Sequence, residues 1–148
     1  MDLSPARVKR ACEESLRRLD TDYIDLYQVH FDDPKTRVED VVDALECLVA
    51  LGKVRYYGVG HLPADKIARY AEAGRPLSVL MGLSAAARDA RSKLLPLCRR
   101  HKMAAIAFSA TGRGRAASCG GTGRGVRSGF VVRDHAWAYT GTGEVQRN

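Results

Sequence analysis

Leu19-Asp20-Thr21-Asp22-Tyr23-Ile24-Asp25-Leu26-Tyr27-Gln28-Val29-His30 is the stretch whose reading decides the fold. From Tyr23 to His30 it is short and rich in aromatic and β-branched residues, the composition of a strand. A period of two places Ile24, Leu26, Gln28 and His30 on one face, expected to point inward. Upstream, Ser4 can cap a helix and Pro5 can take its first position, and Val8, Cys12, Leu16 and Leu19 recur every three or four residues. That spacing predicts an amphipathic helix. Downstream, Thr36 and Glu39 have the spacing of a capping box. Behind them Val38, Val41, Val42, Leu45, Leu48 and Val49 form an apolar stripe that Gly52 stops.

The alternation continues. Val54 to Val59 reads as a second strand, and Pro63 opens a third helix that carries Ile67 and Tyr70 and closes at Gly74. Leu77 to Leu83 is a third strand, Ser92 starts a fourth helix with Pro96 near its first turn, where proline costs little, and Met103 to Phe108 is a fourth strand. Strands alternating with helices through short connections imply an α/β fold with a parallel sheet and right-handed crossovers. From Gly112 the texture changes: seven glycines and four arginines fall within Gly112 to Gly129, with almost nothing large and apolar. Such a stretch cannot offset its ordering entropy by burial, so a disordered Gly/Arg-rich tail is expected. Phe130-Val131-Val132 and Trp137-Ala138-Tyr139 are weak strand candidates within it.

Composition narrows the class. With 45% hydrophobic and 28% charged residues the 148-residue chain falls among ordinary globular proteins. The net charge of +7 is uneven: residues 112–148 hold six basic and two acidic side chains, so more than half of the excess belongs to the tail. Cys12, Cys47, Cys98 and Cys119 form no Cys-x-x-Cys pair, which argues against a disulfide framework or a zinc site and for reduced thiols. No apolar run approaches the roughly 18 residues that span a bilayer, and the N-terminus lacks the regions of a signal peptide. The expected location is the cytoplasm, with no membrane partner and no metal.

The opening stretch closely resembles the signature segment of the aldo-keto reductases. The resemblance runs on through Ala44-Leu45-Glu46-Cys47-Leu48-Val49, Gly52-Lys53-Val54-Arg55-Tyr56-Tyr57-Gly58-Val59, Leu94-Leu95-Pro96-Leu97-Cys98-Arg99-Arg100-His101 and Ala107-Phe108-Ser109, ending at Gly112-Arg113-Gly114. These segments cover residues 3 to 114 in family order and at family spacing. The resemblance implies a (β/α)₈ TIM barrel, of which this chain supplies the third helix through the seventh strand. The expected fold is thus a partial barrel of about four parallel strands, with residues 1–114 as the barrel portion and 115–148 as a low-complexity or poorly ordered tail.

The resemblance also implies a chemistry, the reduction of small aldehydes and ketones with NADPH. In this family a tyrosine donates the proton, its acidity raised by a lysine and an aspartate, and a histidine orients the carbonyl. His30 stands where that histidine stands, and an imidazole suits the role because it can donate a hydrogen bond near neutral pH. The other three catalytic residues would precede Met1. Tyr56, Tyr57 and Tyr70 lie at positions that the family does not use for acid catalysis, and packing is their expected role. After Tyr57-Gly58-Val59 the family has Ser-Asn against the nicotinamide amide; here Gly60 and His61 take those places, and His61 can still hydrogen-bond an amide. The family's next-strand glutamine aligns with Leu80, which offers no hydrogen bond. Ser109 and the backbone near Gly112 could meet a pyrophosphate, since glycine lets the main chain approach anions. NADP binding is therefore expected to be weak or absent, and the chain as given to be a truncated, inactive reductase.

Two alternatives stand beside this reading. A non-catalytic remnant could pair with itself or a longer relative, because four strands of a barrel leave two open edges and an uncovered inner face. The arginine-glycine segments Arg113-Gly114-Arg115 and Arg124-Gly125-Val126-Arg127 could coat nucleic-acid phosphates, although few stacking residues accompany them and nucleic acid is not the expected partner. The abrupt end of the resemblance at Gly114 is also what a reading-frame change in GC-rich DNA would produce, and that is the preferred account of the tail.

Overall fold

The structure, a computed structural model, describes residues 2–83 and 90–110, together with the backbone of 137–139 and 145–147. The element order is α1 (Pro5–Leu19), β1 (Ile24–Val29), α2 (Val38–Ala50), β2 (Val54–Gly60), α3 (Ala64–Ala73), β3 (Ser78–Gly82), a π-type turn (Ala90–Leu94), α4 (Leu95–Arg100) and β4 (Ala104–Phe108). The first four strands form one sheet in the order β1-β2-β3-β4, every neighbouring pair parallel. This is the expected portion of a (β/α)₈ barrel wall. The weak strand expected at Trp137 forms a short antiparallel ladder between β5 (Trp137–Tyr139) and β6 (Val145–Arg147). Phe130 to Val132 and the Gly112–Gly129 stretch lie outside the described residues.

The two faces of the sheet differ as the period of two requires. Val29, Tyr57, Val59, Val79 and Met81 are buried, together with Val8, Cys12 and Leu16 of α1, Val41, Val42, Leu45 and Leu48 of α2, and Ile67 and Tyr70 of α3. The alternate positions face the other way. There Gln28 Nε2 donates to Ser78 Oγ at 3.2 Å across Gly58, while Tyr56, Ile106 and Phe108 are exposed. The expected common face of Leu26, Gln28 and His30 is thus the one turned from the helices. The register aligns Gln28, Gly58, Ser78 and Ala104 in one row, and Gly60, Leu80 and Ile106 in the next.

Local expectations at the helix ends need correcting in two places. Thr36 and Glu39 do not form a capping box: the N-cap of α2 is Arg37, which makes no side-chain cap bond. The Thr36 hydroxyl instead donates to Asp33 Oδ2 at 2.7 Å, and Glu39 pairs with Arg69 at 3.0 Å. The fourth helical segment begins at Ala90 with the π-type turn, ahead of Ser92. Ser4 is the N-cap of α1 but contributes only its carbonyl, which accepts from the Val8 N–H at 2.9 Å. Pro5, Gly52 and Gly74 sit at helix boundaries as expected; Gly52 adopts φ +71°, the left-handed conformation that suits glycine after a helix.

Asp33 explains the loss of the capping box. Its buried carboxylate accepts from the Leu3 N–H at 2.9 Å, the Lys35 N–H at 3.0 Å and the Thr36 hydroxyl, tying the β1–α2 loop to the start of the chain. The Leu3 N–H, then Thr36, then the Lys35 N–H hold its pKa down at about 2. A carboxylate with a depressed folded-state pKa adds stability that is fully present above its unfolded value near 4, and that drains away as pH falls toward 2. Denaturant titrations from pH 5 to pH 2 are expected to show that loss, and Asp33→Asn to flatten it. An unchanged acid profile in the variant would refute this role.

Candidate functional site

The C-terminal ends of the parallel strands collect the residues that matter chemically, as they do in barrel folds generally. His30 follows β1 directly and is exposed; His61 follows β2 and is half-buried. The two imidazoles meet edge to face, ring centres 4.7 Å apart. Phe31 packs on both, at 4.3 Å from His30 and 5.2 Å from His61, and Phe108 from the end of β4 reaches His61 at 4.7 Å. Phe108 can lean over the sheet because β3 has a glycine opposite it: a Cβ on Gly82 would stand 3.2 Å from the Phe108 ring. Four rings from three strand ends thus form one arc on the rim. Aromatic pairs at such separations attract through their quadrupoles as well as by burial.

Backbone geometry shapes the rim. His61 has φ 50° and Ser109, just past β4, has φ 53°. Asp20 and Lys102 share that left-handed region beyond the ends of α1 and α4, an ordinary helix-terminating conformation. At strand ends it is less common for residues with a side chain, and such positions concentrate at functional sites. The His61 N–H donates to the Leu80 carbonyl at 3.4 Å, and a Cβ on Gly60 would stand 3.0 Å from that of Leu80, so β2 leaves the sheet close against β3. Behind the rim, Lys66 in the first turn of α3 donates to both Asp32 carboxylate oxygens at 2.8 and 2.6 Å, fixing the loop after Phe31.

Burial, then the neighbouring His30, pushes the His61 imidazole below its usual pKa. A neutral ring offers one donor and one acceptor nitrogen, and neither His30 nor His61 spends a nitrogen on a hydrogen bond among the described residues. Ser109 is exposed, its hydroxyl likewise unbonded among those residues. Gly60 contributes backbone alone, and Gly112 lies outside the described residues. Tyr57 and Tyr70 fit packing roles; Tyr56 does not, since it is 54% exposed on the face turned from the helices. Tyr57 is buried on the helix side, its hydroxyl donating to Glu46 Oε1 and accepting from the Arg75 N–H, both at 2.6 Å, and burial followed by Glu46 raises its pKa. Tyr70 is buried, which pushes its pKa up to about 12. Neither is suited to give up a proton. Among the described residues no group of three or more His, Cys, Asp or Glu side chains is arranged to hold a metal.

A sequence profile described as the Aldo/keto reductase family matches residues 1–135, more than half of the chain. The chain belongs to the aldo/keto reductase family. The match continues past Gly114 into the region where the sequence texture changes. Among curated relatives, the probable aldo-keto reductase 1 of Glycine max is 39% identical over 112 residues, covering 75% of this chain and 32% of the relative. Among solved structures, the holo form of an aldo-keto reductase from Bacillus halodurans superposes with a TM-score of 0.72 at 33% identity, over 77% of this chain and 39% of that one. An aldo/keto reductase from Klebsiella pneumoniae solved in complex with NADPH gives a TM-score of 0.65 at 32% identity, over 72% of this chain and 38% of that one. The chain therefore spans about a third of the length of the curated relatives it matches.

Phe31 and Phe108 were not among the residues singled out for the site, and neither was the Gln28–Ser78 bond one row below. One signal was available: Phe108 ends a strand, as Val29 does just before His30, so both fall at the same end of a parallel sheet. What brings residues 31, 61 and 108 together is the sheet register, which local sequence does not carry.

Proposed function

We propose that this chain carries the carbonyl-orienting and nicotinamide-side portion of an NADPH-dependent aldehyde or ketone reductase site. The observation that carries the reading is the pairing of His30 with His61 at the C-terminal ends of adjacent parallel strands. His30 would donate a hydrogen bond to a carbonyl oxygen, polarising the carbon that accepts hydride. When bound, NADPH supplies that hydride. The residues present fit it in part: His61 and Ser109 offer free polar groups at the rim, whereas Leu80, beside Gly60, offers none. The NADPH complex of the Klebsiella relative supports the choice of cofactor.

Neither Tyr57, committed to Glu46 and Arg75, nor the buried Tyr70 is poised as the proton donor, and the exposed Tyr56 pairs with Leu26, two rows of the register below His30. Positioned acid–base groups contribute about 10²–10⁴-fold, so these 148 residues alone should turn carbonyls over very slowly. Titrating NADPH fluorescence with the full chain is expected to show weak, saturable binding in the high-micromolar range that His61→Ala weakens further. Binding that is indifferent to His61→Ala would overturn the reading.

The exposed Tyr56, Ile106 and Phe108 favour a second reading, a self-associating remnant whose open sheet faces pair. Light scattering that finds a monomer at all concentrations would remove it. Free Cys12, Cys47 and Cys98 fit a reducing cytoplasm. No helix among the described residues is long and apolar enough to cross a membrane.

A further inference from the structure

The opposite pole of the sheet carries a second feature, independent of the rim. The turn from α3 into β3 and the turn from α4 into β4 flank an open cleft of about 460 Å³. Arg75, His101 and Lys102 border it, and Ala71, Leu77 and Met103 contribute apolar surface. The two turns are tied together rather than loosely apposed. The Ala104 N–H donates to the Leu77 carbonyl at 2.7 Å, the Leu77 N–H donates to the Tyr57 carbonyl at 2.7 Å, and the Arg75 N–H is held by the Tyr57 hydroxyl. Lys102 is fixed in the left-handed conformation, its N–H donating to the Arg99 carbonyl.

Charge is distributed unevenly between the two halves of the described sheet. Arg7, Arg10, Arg37, Lys53, Arg55, Lys66 and Arg69 each pair with a carboxylate. None of the ion pairs among the described residues uses a cation from Arg75 onward, and residues 90–110 contain five Lys or Arg and no Asp or Glu. Arg99 and Arg100 have an ordinary explanation, since they sit in the last turn of α4 and complement its negative end. That effect fades within the last turn, and Arg75 and Lys102 stand beyond the ends of α3 and α4. Glu46, which reaches this region, is engaged by the Tyr57 hydroxyl. Two unpaired cations on tethered turns, beside the exposed side chain of Leu77, form a surface complementary to an anion that carries an apolar group.

We propose that this cleft is a binding site for an organic phosphate, its phosphate set between Arg75 and Lys102 and its apolar part laid on Leu77. Phosphate is favoured over carboxylate because a phosphate monoester brings about −1.5 to −2 charge and three acceptor oxygens to the two cations, against a single charge on two oxygens. The source can be a soluble phosphate ester or a lipid headgroup, and the two share this chemistry.

Calorimetric titration of the full chain with 1-naphthyl phosphate, at an ionic strength low enough to limit screening, tests the proposal. Saturable one-to-one binding is expected, about fivefold weaker in Arg75→Gln and in Lys102→Gln, as fits a partly exposed ion contact, and undetectable in the double variant. Inorganic phosphate should bind more weakly than the naphthyl ester, and Lys9→Gln on the exposed face of α1 should leave binding unchanged. Circular dichroism establishes that the variants fold, and His61→Ala, which disturbs the rim, should have no effect here. Added retention on phosphatidic acid vesicles would assign a headgroup as the source, and its absence a soluble ester. No binding of the naphthyl ester, or equal binding by the double variant, would overturn the proposal.

Discussion

Leu45→Ala is expected to lower the free energy of unfolding by about 2–5 kcal/mol, the range for truncating a fully buried leucine without full collapse of the cavity. Leu45 is 0% exposed, in the middle of the apolar stripe of α2. Its neighbours Val41, Val42 and Leu48 are equally enclosed, so little can move in to fill the space. A barrel wall of four strands has only this one buried layer, between helices and sheet, and the other face is open at Tyr56, Ile106 and Phe108. Small domains keep only about 5–15 kcal/mol of net stability, so the loss is a large fraction of the total and should move the unfolding midpoint well toward lower denaturant. Urea unfolding followed by circular dichroism measures the change. A loss no larger than that of Leu51→Ala, at an exposed position just past α2, would show that the helix-facing layer is not the core.

A second large effect is expected at Gly58. A Cβ there would overlap Ser78 Oγ and stand 2.9 Å from the Ser78 carbonyl oxygen and 3.2 Å from Gln28 Nε2. The glycine is what lets the Gln28–Ser78 hydrogen bond cross β2 one row beneath His30 and Gly60. Gly58→Ala should cost about 1–3 kcal/mol, the usual range for overpacking, and should break that bond. Adding Ser78→Ala relieves the clash with Oγ but not the crowding against the carbonyl, so the pair should recover only part of the loss. Full recovery would mean the strands are spaced more loosely than the register implies, and no loss in Gly58→Ala would mean that Ser78 faces elsewhere.

These two sites illustrate what the sequence made legible. Leu45 and Gly52 were readable because helical periodicity and glycine stops are local patterns, and the same holds for the alternation that turned Gln28 and His30 to one face. The capping box at Thr36 and Glu39 failed for a non-local reason: Asp33, anchored by the Leu3 N–H thirty residues earlier, took the Thr36 hydroxyl. The start at Ala90 was missed because a π-type turn has no distinctive residue pattern. At the rim, His30 and His61 were legible through the resemblance to the family, while Phe31 and Phe108 entered through sheet register and the space above Gly82. The left-handed backbone at His61 and Ser109 had no marker, since neither is glycine.

The central claim is that parallel staves bring His30, His61 and Phe108 to one end of the sheet. Nuclear Overhauser spectroscopy on the full chain, with histidine and phenylalanine ring protons assigned, tests it most directly. Cross-peaks linking the His61 ring to both His30 and Phe108 are the predicted result, with none from His30 to Leu45 or Val41 of α2. An His30 ring that contacts those helix residues, or that shows no proximity to His61, would contradict the account.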